Sequence, residues 1–280
     1  MIRHPAVAGT FYSASPEILR EEVARYCITD VLPAAAIALV SPHAGLKYSG
    51  HVAGAVFARV VPPETVILIG PNHTGIGPAI SVYPEGIWLM PGGELSVDRS
   101  IVLDLLDRLP GAQADASAHR FEHCLEVQLP FLQHIQAGRQ TMEGARPTRI
   151  VPVVMGTTRR ELCLDLGRCL ADLIDQHRVT GLDPPLLVAS TDMNHYESDE
   201  VTRRKDAFAV EAIQRLDPLG LEDAIRTHEI TMCGLGPTMS VLHAARLLGR
   251  SAASLVRYAT SADVSGDCHR VVGYAGFILA

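Results

Sequence analysis

Three apolar runs of this chain end in the same way. Residues 36–40 lead into Ser41-Pro42-His43, residues 65–70 into Pro71-Asn72-His73, and residues 185–190 into Thr191-Asp192-Met193-Asn194-His195. An imidazole is a common metal ligand in its neutral form and exchanges protons near neutral pH. Three of them at neighbouring strand ends can hold a metal together, or two can hold it while the third moves protons. Pro42 and Pro71 stiffen the backbone ahead of two of these histidines, which suits a fixed ligand better than a mobile surface group. Gly45 and Gly75, each two residues further on, allow a tight turn or a close backbone approach. The opposing reading is that each ring only hydrogen-bonds its own loop.

Cys233, in THEITMCGLGP (227–237), is a further candidate, since it precedes a predicted helix at 236–249. A thiol near a helix N-terminus is biased toward thiolate, the form that binds metals. Gly234, Gly236 and the glycine-rich loop after His73 would let a small substrate in. Cys27, Cys163 and Cys169 are expected to be buried and inert. HRFEHCLEVQLPF (119–131) supplies His119, Glu122, His123 and Glu126. Glu122 and Glu126 stand four apart, so one helical turn would offer a carboxylate beside the His123 imidazole. The pattern is not HExxH, and a solvated helix face is the alternative. His4, His51, His134, His177, His228, His243 and His269 carry no such pattern and read as structural. Ser190 and Thr191 ahead of Asp192 imitate a triad member without other support.

The elements that would position these residues follow from hydropathy. The runs at 36–40, 65–70, 150–156 and 185–190 are near-continuously apolar, as strands covered on both faces are. Helical spacing lies between and after them, at 48–60, 96–109, 124–135, 158–175, 198–216, 217–228 and 236–249. Ser96 would cap the second of these, and Pro130 would kink or break the third. Residues 70–93 read as loops and short strands, and the chain closes with two further strands. Strand–helix alternation predicts one layered α/β domain over 1–280, with a mainly parallel central sheet flanked by helices. Ligands of such sheets bind in the crevice beyond the carboxyl ends of the strands, where the histidines lie.

Composition narrows the function classes. The net charge is -7, and of the 24 Lys and Arg only Lys47 and Lys205 are lysine, so no basic patch for nucleic acid is expected. No apolar stretch reaches a membrane span and the N-terminus has no signal-like apolar region, which predicts a soluble, cytoplasmic protein. The six cysteines form no CxxC pair, so reduced thiols are expected. GxxxxGK[ST], GxGxxG and GxSxG are all missing, which removes phosphate-loop nucleotide sites and the serine-hydrolase elbow.

HPAVAGTFYSAS, SPHAGLKYSG, GPNHTG, EHCLEVQLPFLQ, STDMNHY and CGLGP, in this order and spacing, resemble the MEMO family, whose bacterial and archaeal members are called AmmeMemoRadiSam system protein B. That family is similar in fold to the class III extradiol ring-cleavage dioxygenases, which are non-haem iron enzymes. The resemblance implies His43, His73 and Cys233 as metal ligands, His195 with Asp192 as the acid/base pair, and His123 as a further pocket histidine. STDMNHY departs from the stretch found in the animal proteins, which separates this chain from their partner binding. Two imidazoles and a thiolate favour iron(II), copper or zinc over manganese. The family label implies a radical SAM protein and an AMMECR-type protein as partners, alongside a small-molecule substrate.

Three functions therefore stand at this point. One is a metal-dependent oxidoreductase using iron(II) or copper on a small molecule. Another is a non-catalytic module holding a peptide or partner in the same cleft; Lys47 alone is a thin basis for phosphopeptide capture. The last is a zinc metallohydrolase with His195 or Glu122 as base.

Overall fold

The computed structural model describes residues 1–61, 63–139 and 147–280. Its strands are β1 (Ile2–Arg3), β2 (Ala38–Ser41), β3 (Thr65–Pro71), β4 (Ile80–Val82), β5 (Ile87–Met90), β6 (Gly93–Ser96), β7 (Ala112–Ala114), β8 (Arg149–Met155), β9 (Leu186–Ser190), β10 (His195–Glu197), β11 (Ser254–Thr260) and β12 (Val271–Leu279). Its helices are α1 (Pro16–Tyr26), α2 (Leu46–Phe57), α3 (Arg99–Arg108), α4 (Leu129–Arg139), α5 (Arg160–Val179), α6 (Asp199–Gln214), α7 (Pro218–Thr227), α8 (Leu235–Leu247) and α9 (Ala262–Ser265).

The main sheet runs β10-β12-β2-β9-β3-β8-β4-β7, with β11 also paired to β12. β2, β9, β3 and β8 are mutually parallel. β12 and β4 join this group antiparallel, so the sheet is mixed with a parallel centre. The central strands are the four apolar runs of the sequence. β2, β3 and β9 are buried throughout, as expected where no side chain faces water. One helix group, α1, α2 and α4, packs within itself, and so does the group of α5, α7 and α8 joined by α6. One apolar cluster extends from Tyr12 to Leu279 through these layers. Of the region read as loops and short strands, β4 joins the main sheet, while β5 pairs with β1 and β6 in a smaller sheet, β1-β5-β6.

Register decides where the strand ends come out. Ser41 pairs with Ser190, and Ile69 with Ala189, so β2, β9 and β3 finish at nearly one level. β9 lies between the other two, and strands sit about 5 Å apart. The loops after β2 and β3 are thereby aimed at one volume.

Two local expectations change. α3 is capped by Asp98, whose side chain accepts the Ile101 N–H, and Ser96 belongs to β6 instead. Residues 124–135 do not form one kinked helix. A single 3-10 turn, Glu126–Gln128, leads into α4, and Pro130 stands in its first turn, where a missing N–H costs nothing.

Candidate metal centre

His43 follows β2 and His73 follows β3, while Cys233 arrives on the loop ahead of α8. One donor atom from each of the three lies within 4.8 Å of the others. Cys233 Sγ is 3.4 Å from His43 Nε2, and the two imidazole rings are 5.3 Å apart at 77°. Ligands of a four-coordinate zinc ion at about 2.0–2.3 Å stand roughly 3.4 Å from one another. The His43–Cys233 pair already has that separation, so closure requires only small side-chain movement at His73.

Hydrogen bonds fix which ring nitrogen is free. His43 Nδ1 lies 2.9 Å from Ser190 Oγ. That hydroxyl donates its proton to the Cys124 carbonyl at 2.7 Å and accepts from Gln128 Nε2 at 2.8 Å. With its proton committed, Ser190 can only accept from His43, so Nδ1 carries the hydrogen and Nε2 presents its lone pair to Cys233. His73 Nδ1 donates to Glu122 Oε1 at 2.9 Å, which leaves its Nε2 free in the same manner. Donation of the second ring nitrogen to an acceptor is the usual way a metal-binding histidine is oriented.

The two rings differ electrically. His43 is 1% exposed, and burial, with the neighbouring His123 and His73, lowers it well below the ordinary histidine value. It is therefore neutral and ready to ligate. Burial would lower His73 too, but the hydrogen bond and charge of Glu122 outweigh it and raise the net value. Glu122 is itself buried, which opposes ionisation. Its bond to His73 and the backbone N–H groups of His73, His123 and Cys124 overcome that and hold it at about 2.

Cys233 corrects one expectation. It does precede a helix, yet burial and the Asp192 carboxylate push its thiol up to about 12. The helix end does not make it a free thiolate, so a cation must displace its proton. Around the sulfur, the Asp192 N–H lies 3.3 Å away and Thr191 Oγ1 3.9 Å away. Gly234 is pressed on the end of β9, where a Cβ would meet Thr191 Cβ at 2.4 Å, and at Gly236 one would meet the Thr157 carbonyl at 2.7 Å. Both glycines serve close packing and open no route for substrate, contrary to the sequence reading.

The remaining predicted residues fall into two groups. Asp192 is buried and accepts the backbone N–H groups of His43 at 2.8 Å and Ala44 at 3.3 Å, and burial raises its carboxyl. His195 begins β10, half-buried, and lies near enough to influence His43 and Asp192 electrostatically. His123 stacks on His73 with centroids 4.7 Å apart, faces His43 at 5.5 Å, and is lowered by burial. These three adjoin the centre.

Glu126 and His119 do not belong to it. Glu126 accepts from the backbone of Ala6 and Val7 and from Tyr12, and pairs with Arg3 at 2.7 Å. Glu122 and His123 precede the 3-10 turn, so the predicted shared helical face does not form. His119 is a neutral core histidine between Tyr83 and Trp88, held down to about 3 by burial and by Arg3.

Sequence reasoning missed Ser190 and Gln128 as orienting groups. It also gave the N-terminal segment no task. Arg3 donates to the carbonyls of His119 and Glu122, and the Phe11 ring lies 4.8 Å from His123. Phe11 additionally accepts the Leu46 N–H at the start of α2. HPAVAGTFY is thus a strap behind the Glu122 turn.

Among the described residues, no helix is long and apolar enough to cross a membrane. The family profile described as Memo-like protein matches residues 3–278. A MEMO1 family protein of Methanopyrus kandleri is 36% identical over 294 residues, covering 100% of this chain and 99% of its own. Relatives of the same name from Ignicoccus hospitalis and Aquifex aeolicus are 39% and 38% identical, covering 98% and 99% of this chain and 97% and 99% of their own. In fold, the chain resembles the crystal structure of uncharacterized protein JW3007 from Escherichia coli K12, with a TM-score of 0.55 at 15% identity, over 87% of this chain and 99% of that one.

Proposed function

The chain belongs to the Memo-like protein family, and from that premise we propose that it is a metal-dependent oxidoreductase, related in chemistry to the extradiol dioxygenases, acting on a small molecule. The observation that supports this best is the donor set: two imidazoles with Nε2 free and a cysteine, facing one point. Three protein ligands leave coordination positions open, as catalytic sites do and structural zinc sites do not. Two neutral nitrogens and a thiolate suit iron(II) or copper, with zinc as the competitor. When bound, iron(II) or copper would supply Lewis acidity and one-electron chemistry toward dioxygen.

The chain's own residues supply the rest. Ser190 and Glu122 hold the two rings in the ligating tautomer. Asp192 grips the backbone that carries His43, so that ring cannot swing away from the centre. His195, on the same loop, is the candidate proton carrier for a substrate hydroxyl, with Asp192 beside it. His123, lowered by burial and stacked on His73, offers a neutral ring to a bound substrate. By the family resemblance, the substrate would be a product of a radical SAM protein and an AMMECR-type protein acting beside this one.

Oxygen uptake tests the reading. Protein loaded anaerobically with iron(II) or with copper(I), then mixed with a panel of phenolic substrates and air, should consume oxygen with turnover, and zinc-loaded protein should not. Turnover by the zinc form without oxygen would replace this reading with a metallohydrolase.

A further inference from the structure

Beside the centre lies a second hydrogen-bond cluster, built on the fully buried Asn194. Its Oδ1 accepts the Thr231 N–H at 3.1 Å and faces Thr231 Oγ1 at 3.2 Å. Its Nδ2 donates to Glu197 at 2.7 Å and to Thr202 at 3.3 Å, and its backbone N–H donates to buried Asp206 at 2.9 Å. Every polar group of Asn194 is engaged. Its backbone carbonyl accepts the Gly273 N–H from β12. The residue is therefore fixed from the Thr231 loop, β10, α6 and β12.

Thr231 passes this rigidity on. Its Oγ1 accepts the His195 backbone N–H at 2.7 Å, and its carbonyl lies 2.8 Å from His195 Nδ1. A carbonyl can only accept, so Nδ1 carries the ring proton and Nε2 holds the lone pair. Free histidine prefers the opposite tautomer. The next residue, Tyr196, sits at φ 64°, a conformation that bulky side chains adopt only when held there.

Thr231 is also two residues ahead of Cys233. At the other end of the same stretch, the Asp192 N–H reaches Cys233 Sγ at 3.3 Å. Residues 192–195 and 231–233 are thus joined at both ends.

We propose that Asn194 and Thr231 are positioning residues: they hold His195 in its Nδ1–H tautomer and couple it to the Cys233 loop, so that metal binding is sensed at the proton carrier. The proposal rests on the assignment of His195 as that carrier and of Cys233 as a ligand.

The test is ring nitrogen NMR of the full chain, metal-free and with zinc added, for wild type, Thr231→Val and Thr231→Ser, with His195→Gln to assign the signals. Metal-free wild type should show His195 as Nδ1–H. Thr231→Val keeps the carbonyl but removes the Oγ1 that holds the His195 backbone N–H and Asn194, so the ring should leave that carbonyl and shift toward Nε2–H, and Thr231→Ser should restore the wild-type spectrum. Zinc should move the His195 signals strongly in wild type and weakly in Thr231→Val. Zinc affinity of Thr231→Val should fall by less than the roughly 10-fold that losing a ligand's orienting partner costs. If Thr231→Val fails to fold, Thr231→Ala takes its place with the same expectations. An Nε2–H wild type, or an unchanged tautomer and zinc response in the valine variant, overturns the proposal. Failure of wild type to bind zinc would remove the ligand assignment and with it the coupling, while the metal-free tautomer would still decide the positioning role.

Discussion

His43 and His73 follow two parallel core strands on either side of β9 and lie near the same cysteine, yet their surroundings are opposite. His43 is 1% exposed and oriented by neutral Ser190, itself held by Gln128 and the Cys124 carbonyl. The His73 side chain is 35% exposed and oriented by an ionised carboxylate. Burial keeps one ring neutral, and the carboxylate makes the other more basic, so that it carries a proton more readily. The difference teaches that the centre has a rigid, dry half and a polar half open to solvent, the latter shared with His123.

The strongest way to break this contrast is Glu122→Gln. The carboxylate accepts four N–H groups, and a buried partner network cut on one side costs about 3 kcal/mol or more. Metal affinity should fall by about 100-fold, the upper end for loss of an orienting group, as read by competition with a chelator. Denaturant melts would report the stability loss. An unchanged metal affinity would remove Glu122 from the orienting role.

Acid probes the same half. Glu122 is held at about 2 against an ordinary 4.5, so its contribution is present above about pH 4.5 and is lost as pH falls toward 2. The span corresponds to roughly 3 kcal/mol. His73 is shifted upward, so its contribution is complete below 6.5 and declines as pH rises through its folded value. Between about pH 4.5 and 2 the metal-free wild type should therefore lose more stability than Glu122→Gln, while the loss that sets in below 6.5, where the buried neutral His43 and His119 resist protonation, should persist in both. Equal acid sensitivity of the two proteins in urea titrations would contradict this.

Ser190→Ala addresses the dry half and should do less. Loss of a neutral hydrogen bond costs about 1 kcal/mol, and metal affinity should fall by about 10-fold. A loss as large as that of Glu122→Gln would erase the contrast between the two rings. The smallest effect is expected for Phe11→Leu, which removes a ring from His123. About 1 kcal/mol of stability should go, with metal affinity nearly unchanged.

How much of this could be read beforehand follows from the range of the interactions. The four central strands were visible as continuous apolar runs, and the proline-marked strand ends exposed His43 and His73. Cys233 was found because its glycine-rich turn is a poor place for a core thiol. Helical spacing with Glu126 singles out Glu122 in the sequence, yet the chain forms a loop there and Glu122 acts through the N–H groups it accepts. Ser190 had the look of a false triad member, since its partner His43 lies 147 residues away. Arg3 reaches Glu122 across 119 residues, and no local pattern encodes such a contact. Ligands stand at ends of elements and leave a local mark; the groups that orient them are chosen by the tertiary fold.

The central claim is that His43, His73 and Cys233 form one metal centre. Its most direct test is the metal content of wild type and Cys233→Ala, purified side by side without oxygen and offered iron(II), copper(I) and zinc. One metal ion per wild-type chain and almost none in the folded variant are expected. Equal metal in both, or none in wild type, would contradict it.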